Sequence, residues 1–213
     1  MSHFIGLCFG EAWESNLDNY YEGLEVEEYI AYTKEDAIDM VKQSHANSYE
    51  YALKMLTKED LSSEARLKFE NIVEDGLFIS YEKAWEEVKE WGYKMDEYEN
   101  LLSTYNPNSK WDWYEEGGRW NGFIRLKERD ENGDPLRVNQ ALFKEIDWEY
   151  MLKNNCIPFN YITEEGDWYE KGEMGWWGMT ANEKEKDVWN KEFESYLKLV
   201  DDDCLVTAVD FHI

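Results

Sequence analysis

The chain has 213 residues and carries 48 Asp and Glu against 22 Lys and Arg, a formal charge of −26. So acidic a surface repels nucleic acid and anionic membrane and attracts basic partners. With 43% hydrophobic and 16% aromatic residues, the composition is still that of a folded domain and not of a disordered acidic tail.

Taken in chain order, His3 to Phe9 is an apolar run that predicts a strand ending at Gly10. An acidic stretch follows, with Glu11, Glu14, Asp18, Glu22, Glu25, Glu27 and Glu28. Thr33 with Asp36 reads as a helix N-cap, and Ala37, Ile38, Val41, His45, Tyr49, Ala52 and Leu56 form a helical stripe. Thr57 with Asp60 predicts a second cap, leading into Leu61, Ala65, Leu67, Phe69 and Ile72. Ser80 predicts a third helix with Ala84, Trp85, Val88 and Trp91 at three- and four-residue spacing and Gly92 at its end. A short helix is expected over Asp96 to Leu102.

The character changes near residue 105. Thr104 to Ser109 is a loop by composition. WDWY, EEGG and RWNGFIRL then predict a strand, a turn and a strand, and ENGDP (Glu131 to Pro135) predicts another turn. IPFNYITEEGDWYEKG predicts a hairpin turning at EEGD. Thr180 and Glu183 (TANE) resemble a capping box for a last helix carrying Trp189, Phe193, Tyr196, Leu197 and Val200. Leu205 to Ile213 is the most strand-like segment and is expected beside the first strand. The fold expected is one α+β domain over 1–213. A mainly antiparallel sheet contains both terminal strands, with helices packed on it.

Several chemistries have no signature. No GxxxxGK[ST] or GxGxxG loop is present. Cys8, Cys156 and Cys204 are far apart and lack metal-ligand spacing, which fits reduced thiols in a cytoplasm. The N-terminal run lacks a basic n-region, and no apolar stretch reaches the about 20 residues of a membrane span. The longest interval with any basic excess, Arg125 to Arg129, is too weak for a nucleic-acid groove. No cofactor, metal or catalytic residue is expected from motif alone.

Three patches carry a resemblance. SKWDWYEEGGRWNGF (Ser109 to Phe123), WYEKGEMGWWGM (Trp168 to Met179) and the terminal VDFHI are similar to a family of uncharacterised proteins of bacteria and their phages. Its members often carry Cys in place of Phe211. The resemblance implies a phage or mobile-element origin and no particular activity.

Two functional expectations follow. The first is an acidic interaction protein that occludes a basic surface of a host nucleic-acid-binding or defence protein, as a nucleic-acid mimic. Its face is Glu25, Glu27, Glu28, Glu82, Glu86, Glu87 and Glu90, with the acidic excess concentrated in the first hundred residues. The alternative is a small-molecule or nucleotide-binding protein or enzyme using the Trp111 to Trp120 hairpin. Trp111 and Trp113 would share one face and offer stacking surfaces, and Gly117 and Gly118 would permit close backbone approach. Arg119 would take an anion, and Trp120 with Trp176 or Trp177 would complete the wall. The structural alternative is a tight hairpin with its tryptophans in the core and Arg119 paired to Asp112 or a nearby Glu. His3, His212 and Asp210 would meet on one face if the terminal strands pair, as a general-base or metal group. Otherwise each histidine is a satisfied structural residue, as His45 is expected to be.

Overall fold

The computed structural model describes residues 2–175 and 178–213. In chain order the elements are β1 (His3–Phe9), α1 (Trp13–Leu17), β2 (Tyr29–Tyr32), α2 (Lys34–Leu56), α3 (Ser63–Asp75), α4 (Tyr81–Lys89), β3 (Lys94–Met95) and β4 (Leu101–Ser103). There follow β5 (Trp113–Glu116), β6 (Ile124–Arg129), β7 (Pro135–Val138), β8 (Gln140–Leu142), α5 (Trp148–Lys153), β9 (Asn160–Ile162), β10 (Trp168–Glu170), β11 (Glu173–Met174), β12 (Thr180–Ala181), α6 (Lys186–Leu197) and β13 (Leu205–His212). The fold is α+β. The chain makes two compact units: a terminal unit, Tyr105–Ile213 with the residues up to Glu25, and an inserted unit, Val26–Thr104.

The main sheet of the terminal unit runs β10-β9-β1-β13-β5, with β8 also on β13. β1 and β13 pair antiparallel over their whole length, from His3 opposite His212 to Phe9 opposite Val206. They are nearly continuous apolar runs because both faces are covered. One face carries Ile5, Leu7, Phe9, Val206 and Ala208 against Trp189, Phe193 and Leu197 of α6. The other carries Phe4, Cys8, Val209 and Phe211 against Trp13, Leu17 and Trp111. β9 joins β1 in parallel, so the sheet is mixed, and β9 and β10 form the hairpin expected at EEGD. Buried tryptophans keep a partner for the indole N–H: Trp189 donates to the Pro158 carbonyl at 2.8 Å and Trp111 to that of Leu17 at 3.1 Å.

In the inserted unit, Thr33 and Ser80 cap α2 and α4 through the Asp36 and Lys83 amides. Ala37, Ile38, Val41, Ala84, Trp85 and Val88 form a core with Leu101 of a three-stranded sheet, β2-β4-β3.

Four expectations are corrected. The cap of α3 is Ser62, not Thr57, because its hydroxyl reaches the Ala65 amide. Asp96 to Leu102 is no helix: Asp96 accepts from the Tyr98 and Asn100 amides and closes the turn between β3 and β4. Thr180 pairs in β12, Glu183 is held by Lys171, and α6 begins only at Lys186. The segment around Gly117 is not a hairpin. β5 pairs with β13, and β6 pairs with β7 across the ENGDP turn.

Candidate functional site

The site is built at one end of the β1–β13 pair. Ser2 and Ile213 exchange backbone hydrogen bonds of 3.0 and 3.1 Å. The next pair, His3 and His212, is therefore the non-hydrogen-bonded kind, in which side chains approach most closely. The two imidazoles meet edge to face with centroids 4.8 Å apart.

Each ring has its own carboxylate. His3 Nδ1 lies 3.0 Å from Asp210 Oδ1, and His212 Nδ1 lies 2.5 Å from Asp112 Oδ1. A carboxylate only accepts, so each pairing places the imidazole proton on Nδ1 and leaves Nε2 as the acceptor of the neutral ring. Among the described residues neither Nε2 has a hydrogen-bond partner. The histidine side chains are 13% and 11% exposed. Asp210 is 1% exposed, with both oxygens engaged: Oδ2 accepts from the Arg119 amide at 2.9 Å. A cross-strand neighbour of Asp210 on the same face is Ile5, where the apolar core stops and the polar cluster begins.

The glycine pair explains itself here. Gly118 has φ +43, and a Cβ on it would stand 2.5 Å from Asp210 Cβ and Oδ2. Gly117 has φ +69 and would strike the Asn139 side chain at 2.4 Å. A 3-10 turn over Gly118–Trp120 can thus press its backbone onto the carboxylate.

The expected site residues separate. Trp111 and Trp113 do not share a face, because the chain bends at Asp112 before β5 starts. Trp111 is buried beside Tyr114, with centroids 5.1 Å apart. Trp113 is half exposed and lies edge-on to both histidines, 6.5 Å from His3 and 6.3 Å from His212. Trp120 packs at the margin of the main core. Arg119 is exposed, and among the described residues its guanidinium makes no ion pair, with Asp112 or any Glu. Trp176 and Trp177 lie outside the described residues. Asp112 is the residue that sequence reasoning missed as a partner for His212. Strict alternation from Trp111 hides it, since it precedes the strand.

Glu25, Glu27, Glu82 and Glu90 are exposed, Glu28 pairs with Lys94, Glu86 with Lys89, and Glu87 with His45. The excess of the first hundred residues does not belong to the helices alone, because the stretch up to Glu25 folds into the terminal unit. The inserted unit has 19 acidic and 9 basic side chains, a net −10 that leaves −16 on the terminal unit. Per residue the two are nearly equally acidic.

Other chemistries find little footing. Burial pushes the Cys8 thiol up, far from a reactive thiolate, and Cys204 is raised in the same way. Among the described residues no three of His, Cys, Asp and Glu converge as a metal set. Among them, too, no helix is long and apolar enough to cross a membrane. No protein-family model, curated protein or solved structure matches the chain.

Proposed function

We propose that the terminal unit is an acid–base enzyme domain acting on a small, nucleotide-like ligand. The observation that carries this is the pair of touching imidazoles, each held through Nδ1 by its own aspartate. A structural histidine needs no such support on both sides of a strand pair. Two oriented rings side by side provide a base and an acid at one spot. One Nε2 takes the proton of an attacking hydroxyl or water, and the other ring, protonated, returns one to the leaving oxygen. Trp113 offers the ligand a ring to stack on, and Arg119 offers a guanidinium for an anionic group. The charge of −26 disfavours a nucleic-acid polymer and so restricts the ligand to a small molecule.

The test is turnover of a panel of mononucleotides, cyclic nucleotides and dinucleotides by the full chain and by His3→Gln, His212→Gln and Asp112→Asn. Wild type should turn over at least one compound. Each variant should lose about 10²- to 10⁴-fold while keeping its far-UV circular dichroism. Absence of turnover across the panel, or turnover indifferent to both histidines, refutes the proposal.

A second reading rests on the exposed carboxylates at Glu25, Glu27, Glu82 and Glu90: occlusion of a basic host nucleic-acid-binding protein. It expects capture of one such partner at low salt and its release at high salt. Capture insensitive to salt speaks against it.

A further inference from the structure

We propose that the inserted unit has a binding site of its own, for a small organic cation, in the cleft between α2, α3 and α4. α3 and α4 each pack along α2 but touch one another far less. Tyr51 and Phe69 join α2 to α3 with centroids 5.9 Å apart, while α3 contributes no buried residue to the core. The gap left on the other side is a cavity of about 500 Å³. That lies within the roughly 300 to 1,000 Å³ of small-molecule sites.

The lining sets the chemistry of the occupant. Met40, Val41 and Ile72 are apolar, Trp91 adds an exposed indole, and Asp75 and Glu87 bring two carboxylates. No lysine or arginine is among the lining residues. His45 Nε2 lies 3.2 Å from both oxygens of Glu87 and so fixes that carboxylate at the cavity wall. An anion would meet two like charges here. An apolar body with an ammonium head would find dispersion contacts, an indole and a pair of carboxylates. The same unit already holds one ammonium in this way: Lys34 Nζ sits 4.6 Å from the Trp85 ring centroid and 2.5 Å from Glu99.

The probe is phenethylamine, titrated into the full chain by calorimetry, with 2-phenylethanol as its uncharged counterpart. One-site binding of the amine, about tenfold tighter than the alcohol, is expected. Glu87→Gln, Asp75→Asn and Trp91→Leu should each weaken it several-fold with far-UV circular dichroism unchanged. The double variant Glu59→Gln/Asp60→Asn, at exposed carboxylates of the same unit outside the cavity lining, should bind as wild type, which separates the cleft from general attraction to an acidic protein. Any of three results overturns the proposal: equal affinity for the alcohol, no binding of the amine, or equal loss in the Glu59/Asp60 variant. N-acetyl-lysine amide is the arm for the other source of an ammonium. Tighter binding of that compound than of phenethylamine assigns the cleft to a partner's lysine and overturns the assignment to a free amine.

Discussion

Asp210 shows how much one buried carboxylate can organise. It orients His3, it accepts the Arg119 amide, and it forces glycine at position 118. Gly133 provides the comparison, since it also has positive φ, at +85, but nothing lies within 4 Å of where its Cβ would be. Gly133→Ala therefore meets backbone strain alone, about 1 to 2 kcal/mol. Gly118→Ala meets that strain and a collision with Asp210, which adds about 1 to 3 kcal/mol. Urea unfolding of the two variants should rank them in that order. Gly118→Ala should also impair any reaction that depends on His3, because relief of the clash moves the carboxylate that orients it. Equal destabilisation would mean that the turn stands off Asp210.

At the scale of elements, what the sequence disclosed follows local physics. β1 and β13 are readable because burial on both faces leaves continuous apolar runs, and α2 and α4 because Thr33 and Ser80 cap them within a few residues. What it concealed was decided by distant partners. β5 looks like half of a hairpin with β6, yet it pairs with β13 at the far end of the chain. The two-histidine cluster was visible only on condition that the terminal strands pair, and Asp112 was invisible even then. α5 was also missed, a helix of six residues capped by Asp147. Asp147 accepts the Tyr150 amide at 2.9 Å and is also held by Arg129 of β6. The Arg129 guanidinium, with the capping bond, holds its carboxyl below the usual carboxylate range. Folding thus favours the charged form. The stabilisation is complete above the unfolded value of about 4 and fades as pH falls through the lower folded value. Asp147→Asn keeps the cap and loses the ion pair. Its Tm should lie below wild type at pH 7, with the gap closing as pH falls below about 4. A gap that stays constant would show that Arg129 contributes nothing through charge.

For the whole molecule, the charge is a constraint that both units share. Even if each of the 22 Lys and Arg neutralised one carboxylate, 26 of the 48 negative charges would stay uncompensated. The ion pairs that do form are mostly at the surface, Lys94–Glu28 and Lys89–Glu86 among them, where each contributes about 1 kcal/mol or less. Repulsion therefore outweighs pairing, and it acts most strongly on the compact state. Salt shortens its reach, from about 30 Å at 0.01 M to about 10 Å at 0.1 M. Raising NaCl across that range should raise Tm, and lowering the pH from 7 toward the isoelectric point near 4.4 should do the same before acid protonates Asp147. Calorimetric scans at a few salt concentrations check this. A Tm that falls with added salt would mean that the ion pairs dominate after all. The same envelope bears on both sites. It holds polyanions away from the His3–His212 cluster while a small ligand can still reach it, and it draws cations toward the Trp91 cleft. Salt should accordingly weaken amine binding at the cleft while it stabilises the fold. Among the nine described tryptophans only Trp91 and Trp113 are exposed, and each stands at one of these two sites.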